Sequence, residues 1–263
     1  MNILDFSKKK ENKEKISMIT CYDYTSARIV SSTNVDCILV GDSVAMTMHG
    51  FKDTVAATLP MMSFHTAAVS RGAGNKFIVS DMPFLSYRKS LSKSVSAAYE
   101  LMQAGANAVK IECAIGNTEL IRHLVESGIP VMGHIGLTPQ FIHVLGGHKV
   151  QGKTKESAER LKEEALLLQE AKCSAIVLEC VPSSLAKEIT ETLAIPTIGI
   201  GAGPDTDGQV LVFQDLLGLN LDFKPKFVKS FLNGHEQFKA GIEDFIDAIN
   251  SGEFPKNEHC YGN

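Results

Sequence analysis

The chain has 263 residues, of which 44% are hydrophobic and 21% charged, and carries a net charge of −4. This length suits a single (β/α)8 barrel with a large core. The acidic balance, the lack of tryptophan and a 7% aromatic content argue against a nucleic-acid partner, and no apolar run reaches the roughly 18 residues needed to cross a bilayer.

The opening MNILDFSKKKENKEK is charged where a secretion signal needs its apolar region, and it carries acids that a transit peptide avoids. This implies a cytoplasmic protein. Residues 8–15 read as a solvated lead-in. Residues 16–21 (ISMITC) form a first strand and 25–32 a helix. The second strand, 37–40, runs straight into Gly41-Asp42-Ser43. A loop then extends to Pro60, followed by a helix over 61–70 whose glycines suit a C-cap. Residues 76–80 make the third strand, closed by Asp81, and 94–103 a helix. The fourth strand, 108–111, ends at Glu112, with a helix over 118–126. The fifth, 131–133, ends at His134.

Next comes a Gly- and His-rich loop over 137–152, long enough to suggest a functional element. Its glycines, Gly146, Gly147 and Gly152, could hinge a lid; a fixed loop packed at a subunit contact is the alternative. Residues 154–172 give the clearest helix, with Thr154 as cap and Ala158, Leu161, Ala165 and Leu168 at helical spacing. The sixth strand, 175–178, ends at Glu179, and 183–193 is helical. Residues 196–200 make the seventh strand, 210–217 the eighth, and 234–249 a closing helix with apolar residues on one side. The whole reads as one barrel domain over 1–263, with 1–15 as lead-in and 234–263 as C-terminal helix and tail. The six cysteines, Cys21, Cys37, Cys113, Cys173, Cys180 and Cys260, form no CxxC and read as reduced structural thiols.

Strand–helix alternation of this kind means a parallel sheet. A barrel is favoured over an open sheet because no dinucleotide fingerprint opens the chain. The late GIGAG is not one, since a GxGxxG starting at Gly199 would need glycine where Pro204 stands. It reads as a tight strand-to-loop turn or as a point of close ligand approach.

In a barrel, the C-terminal ends of all strands open on one face. Asp42, Asp81, Glu112, His134 and Glu179 would converge there. An acid after a strand is often a helix cap, but four of them make that a poor common explanation. Crowded carboxylates stay ionised only if a cation neutralises them, and all-oxygen donors favour Mg²⁺ or a similar hard ion. Lys110, between apolar Val109 and Ile111, should point with Glu112 into the barrel, where it needs an anionic partner. Ser43 is either a substrate hydrogen-bond donor or a turn hydroxyl. His134 is either a hydrogen-bonded core residue or a base.

The motifs ITCYDY (19–24), VGDS (40–43), HTAAVSRG (65–72), DMPF (81–84), VKIE (109–112) and GHIGLTPQ (133–140) resemble those of ketopantoate hydroxymethyltransferases. So do GGHKVQG (146–152), LECVP (178–182) and IGIGAGPDTDGQ (198–209), in collinear order from about residue 19 to 227. The resemblance implies a (β/α)8 TIM barrel of the phosphoenolpyruvate/pyruvate superfamily. It implies transfer of a hydroxymethyl group from 5,10-methylenetetrahydrofolate to 3-methyl-2-oxobutanoate, giving 2-dehydropantoate in pantothenate and coenzyme A biosynthesis through a Mg-stabilised enolate. Asp42, Asp81 and Glu112 would hold Mg²⁺. Asp42, Ser43, Asp81 and Lys110 would contact the oxo acid, and Glu179 would accept the proton, with His134 as the rival base. The resemblance also implies a homo-oligomer, commonly a decamer. One departure is Cys113-Ala114, where some members carry small glycine-like residues. Arg88, Lys149 and Lys153 are candidates to meet a glutamylated folate. Two rivals stand beside this reading. One is a C–C-cleaving superfamily relative, which usually carries a KKCGH-type cysteine loop not found in this sequence. The other is a metal-dependent binding barrel without turnover.

Overall fold

Strands covered on both faces need apolar residues on both, and the central strands of this chain have them. In the computed structural model, which describes residues 1–221 and 225–262, all of Cys37–Val40, Phe77–Asp81 and Ala108–Glu112 are buried. The strands are β1 (Ile16–Thr20), β2 (Cys37–Val40), β3 (Phe77–Asp81), β4 (Ala108–Glu112), β5 (Val131–Gly136), β6 (Ala175–Glu179), β7 (Thr197–Ile200) and β8 (Gly208–Leu211). They close into one parallel barrel in sequential order, with β1 pairing to β8 through Ile16↔Gly208. Helices Tyr24–Ser31, Leu59–Gly72, Leu91–Gln103, Thr118–Glu126, Lys155–Glu170 and Ser183–Thr192 connect β1 through β7.

The barrel interior is filled by alternate residues of the strands: Ile16 and Met18, Cys37 and Leu39, Phe77 and Val79, Ala108, Met132, Ala175 and Val177, Ile198, and Val210. Two-residue periodicity extends this inward set upward. It reaches Asp81 on β3, Lys110 and Glu112 on β4, His134 on β5 and Glu179 on β6. The alternation that builds the core thus delivers the charged residues to its upper end.

The N-terminal stretch differs from a solvated lead-in. Residues Ile3–Glu11 form a helix, started by a reciprocal capping box between Asn2 and Asp5. Phe6 is fully buried in the barrel core and meets the Phe77 ring edge-on at 5.3 Å. The lysines pin the helix to the barrel: Lys9 to Asp36 at 2.8 Å, and Lys10 to Asp207 and the Thr190 carbonyl, each at 2.8 Å. Asp36 and Asp207 immediately precede β2 and β8, so this helix covers the N-terminal end of the barrel.

Three other expectations shift. The stretch after Ser43 holds a short helix, Val44–Thr47, and a 3₁₀ turn, Thr54–Ala56. The fifth strand continues to Gly136, so His134 lies within it. The eighth strand starts earlier than 210–217: β8 is Gly208–Leu211, and Phe213–Leu216 is helical. No helix joins β7 to β8. Their link is a tight turn in which a side chain on Gly203 (φ +82°) would put its Cβ 2.5 Å from Ser183 Cβ.

The chain divides into two compact units, Met1–Val212 and Phe213–Asn263. The second is built on helix Gly234–Ser251, which ends at left-handed Gly252 and exposes Phe238, Ile242, Phe245, Ile246 and Ile249 at helical spacing.

Candidate active site

Five of the seven predicted site residues sit on the inward set at the C-terminal end of β3 to β6, and the other two follow β2. Lys110 is their centre. Its ammonium lies 3.0 Å from Asp81 Oδ1 and 3.2 Å from His134 Nδ1. His134 Nδ1 is also 3.3 Å from Glu112 Oε1, and its Nε2 is 3.2 Å from Glu179 Oε2. Asp42 joins through its main chain, donating its N–H to Asp81 Oδ2 at 3.0 Å. Asp42, Asp81, Lys110, Glu112 and His134 are all buried, whereas Glu179 keeps 16% of its side chain exposed. None of the four acids caps a helix; Asp23 and Asp53 do that elsewhere.

Ser43 stands slightly apart. Its Oγ shares a 2.8 Å hydrogen bond with the buried Tyr22 hydroxyl. Gly41 makes room for it: a Cβ there would sit 2.8 Å from Ser43 Oγ and 3.7 Å from Asp81 Oδ2. The Ser43 hydroxyl therefore lies beside the carboxylate cluster, over a position that only glycine fills freely.

Burial and mutual repulsion dominate the electrostatics. Burial, then the charges of Asp81 and Glu112, push the Asp42 carboxyl well above its usual range. Burial raises Glu112 to about 8 against the opposing pull of Lys110. Burial alone would push Lys110 down, but Asp81, Glu112 and Asp42 outweigh it and hold the ammonium above its ordinary range. Burial and the neighbouring Lys110 lower His134 and keep the ring neutral. An ammonium can only donate, so Nδ1 must accept from Lys110 and the ring proton sits on Nε2, facing Glu179.

Sequence reasoning did not single out Gln140, Tyr87 or Tyr22. Gln140 opens the segment after β5 and is 2% exposed. It belongs to a 3₁₀ turn, Pro139–Phe141, that roots the long loop in the site, and the short helix Ile142–Leu145 follows. The available signals were the polar Gln within the GHIGLTPQ motif and Tyr22 within ITCYDY. Arg88 stacks over Tyr87 and Phe141 at 5.9 and 5.5 Å and donates to the Ile115 carbonyl at 2.9 Å. Lys149 and Lys153 are exposed and take no part in the cluster.

Glu112 and Glu179 are each followed by a cysteine in the left-handed region, Cys113 at φ +73° and Cys180 at φ +48°. The chain therefore turns off the barrel directly after each acid. Glu164 holds the first turn by accepting from the Ala114 N–H at 3.4 Å.

The donor set fits a hard divalent cation. Glu112 Oε1 is buried without a hydrogen bond, a costly state that a cation would relieve, and Asp81 Oδ1 beside it is met by the Lys110 ammonium at 3.0 Å. Among the described residues, no three His, Cys, Asp or Glu side chains already close at metal-ligand spacing. Mg²⁺ takes one or two direct carboxylates and keeps several waters, so it does not need a closed protein cage.

A family model described as ketopantoate hydroxymethyltransferase matches residues 1–257. The chain is 55% identical over 260 residues to the 3-methyl-2-oxobutanoate hydroxymethyltransferase of Francisella tularensis subsp. novicida, covering 99% of this chain and 98% of that one. It is 57% identical over 263 residues to the enzyme of the same name from Coxiella burnetii, covering 99% of each. Among solved structures, 2,3-dimethylmalate lyase, a PEP mutase/isocitrate lyase superfamily member, superposes with a TM-score of 0.60 at 15% identity, over 98% of this chain and 91% of that one. Phosphonopyruvate hydrolase, in a complex with oxalate and Mg²⁺, gives 0.64 at 8% identity over 98% and 93%. At such identities the likeness is one of fold.

Proposed function

Because the chain belongs to the ketopantoate hydroxymethyltransferase family, we propose that it transfers a hydroxymethyl group from 5,10-methylenetetrahydrofolate to 3-methyl-2-oxobutanoate. The product is 2-dehydropantoate, and the pathway is pantothenate and coenzyme A biosynthesis. The observation that carries this reading is the buried cluster at the barrel mouth: three carboxylates, a lysine and a neutral imidazole, with a fourth, mostly buried acid beside them.

Asp42, Asp81 and Glu112 would hold Mg²⁺, directly or through water. When bound, the ion supplies Lewis acidity that polarises the 2-oxo acid and makes its C3 proton more acidic. Lys110 orients the substrate carboxylate, and Ser43 donates a hydrogen bond to it. Glu179, the most accessible acid of the group, takes the C3 proton. The electron pair left on C3 then forms the new bond to the folate methylene carbon as one of that carbon's bonds to nitrogen breaks and the nitrogen takes up a proton; water replaces the second nitrogen, supplies the hydroxyl and protonates the departing tetrahydrofolate. His134 stays neutral and holds its Nε2 proton toward Glu179, which fixes that carboxylate for the transfer. His134 as the base is the second assignment, since it also faces the cluster. Arg88, held over two aromatic rings, would meet an anionic folate tail. A homo-oligomer, a decamer by family likeness, and a cytoplasmic location complete the proposal; among the described residues no helix is long and apolar enough to cross a membrane.

The test is an assay with 3-methyl-2-oxobutanoate, 5,10-methylenetetrahydrofolate and Mg²⁺. In its first arm, without folate, the C3 proton should exchange with deuterated solvent. In the second, 2-dehydropantoate should form. Absence of both exchange and product would refute the reading.

A further inference from the structure

Each of the three clustered carboxylates has one oxygen taken by an amide N–H donor. Asp81 Oδ2 accepts from the Asp42 main chain at 3.0 Å. Asp42 Oδ2 accepts from Gln140 Nε2 at 2.8 Å, and Glu112 Oε2 from the Gln140 main-chain N–H at 3.1 Å. Of the partner oxygens, Glu112 Oε1 is buried without a hydrogen bond and Asp81 Oδ1 faces the Lys110 ammonium at 3.0 Å. One residue thus supplies two of the three ties, one through its side chain and one through its backbone.

The Gln140 amide is itself fixed. Its Nε2 also donates to the Met82 carbonyl at 3.0 Å, and its Oε1 accepts from the Tyr87 hydroxyl at 2.7 Å. A flipped amide would set Oε1 against both the Asp42 carboxylate and a carbonyl, so the network allows one orientation. Tyr87 and Gln140 are both buried, so water does not compete for these bonds.

We propose that Gln140, held by Tyr87, is a positioning residue for the cation site: it commits one oxygen of Asp42 and one of Glu112 to the protein and leaves the other of each to the ion. The inference rests on the divalent-cation reading given above. It makes each carboxylate a one-oxygen donor, which suits a small ion that keeps its own waters. Outer partners of this kind typically change metal affinity by about 10–100-fold when removed.

The experiment is Mn²⁺ titration of the full-length protein, reading free Mn²⁺ by electron paramagnetic resonance. Thermal melting without metal runs alongside as the fold control. Gln140→Met keeps the side-chain length and removes the amide; Tyr87→Phe removes only the hydroxyl that orients it. The expected result is Mn²⁺ binding weaker by about 10-fold or more for Gln140→Met and several-fold for Tyr87→Phe. Damage to the fold alone would lower the melting midpoint or the number of sites, leaving the Kd of the folded fraction unchanged. Both variants binding within twofold of the parent would overturn the proposal. If Gln140→Met does not fold, Tyr87→Phe decides it by the same criterion. A parent that binds no Mn²⁺ would instead overturn the cation reading and this proposal with it.

Discussion

Replacing Phe6 by alanine tests how the N-terminal helix contributes to the barrel. The ring is fully buried and packs edge-on against Phe77 at 5.3 Å. Truncating a buried phenylalanine to alanine costs about 3–5 kcal/mol, from lost transfer energy plus the cavity left behind. The upper half of that range applies here, because the buried residues that cluster with Phe6 lie on strands bonded on both sides, which resist collapse into the cavity. With about 4 kcal/mol lost and a urea slope of ~3 kcal/mol/M, the unfolding midpoint should fall by about 1.3 M. The chain has no tryptophan, so the transition is followed by far-ultraviolet circular dichroism. Leu4→Ala on the same helix is the control: Leu4 is 68% exposed, and a surface change should stay within about 0.5 kcal/mol. If Phe6→Ala moves the midpoint no further than Leu4→Ala, the helix is an ornament on a barrel that is complete without it, and the reasoning fails.

Other expectations concern the site and its turns. Glu179→Gln should slow deuterium exchange at C3 by about 10²–10⁴-fold and leave Mn²⁺ affinity near the parent's; near-normal exchange would pass the role to His134. Saturating Mg²⁺, at about 100 times its Kd, should stabilise the protein by about 2.7 kcal/mol. The same addition should do much less for Asp42→Asn, and equal stabilisation of both in thermal melts would remove Asp42 from the site. Cys113→Gly should leave stability unchanged or raise it by up to about 1 kcal/mol, because glycine tolerates the left-handed backbone that cysteine adopts there at φ +73°. A loss above 1 kcal/mol in denaturant melts would show that the thiol's packing outweighs its backbone strain.

The barrel was legible in the sequence because its strands are buried on both faces and therefore read as short unbroken apolar runs. Lys110 was legible for the same reason: a charge between Val109 and Ile111 can only belong to the inward set. The N-terminal helix was hidden because a single aromatic, Phe6, anchors it among lysines whose partners, Asp36 and Asp207, are far off in the chain. The eighth strand was misplaced because apolar residues continue past Leu211 into the next helix. His134 sits inside β5 because Ile135 prolongs that strand. Gln140 and Tyr87 gave no periodic signal; a polar side chain in a loop shows its task only when the atoms it reaches are known.

Closure of the sheet has a consequence for how the chain is made. β1 has two neighbours, and the second of them, β8, is among the last barrel residues to leave the ribosome. At ~5–20 residues per second, roughly ten to forty seconds separate the synthesis of Ile16 from that of Gly208. During that interval the nascent sheet has a bare rim at each side, each able to template pairing with another chain. Both rims vanish in one step when β8 docks. A chain cut short just before β8 would therefore be an open, adhesive sheet rather than a slightly smaller barrel.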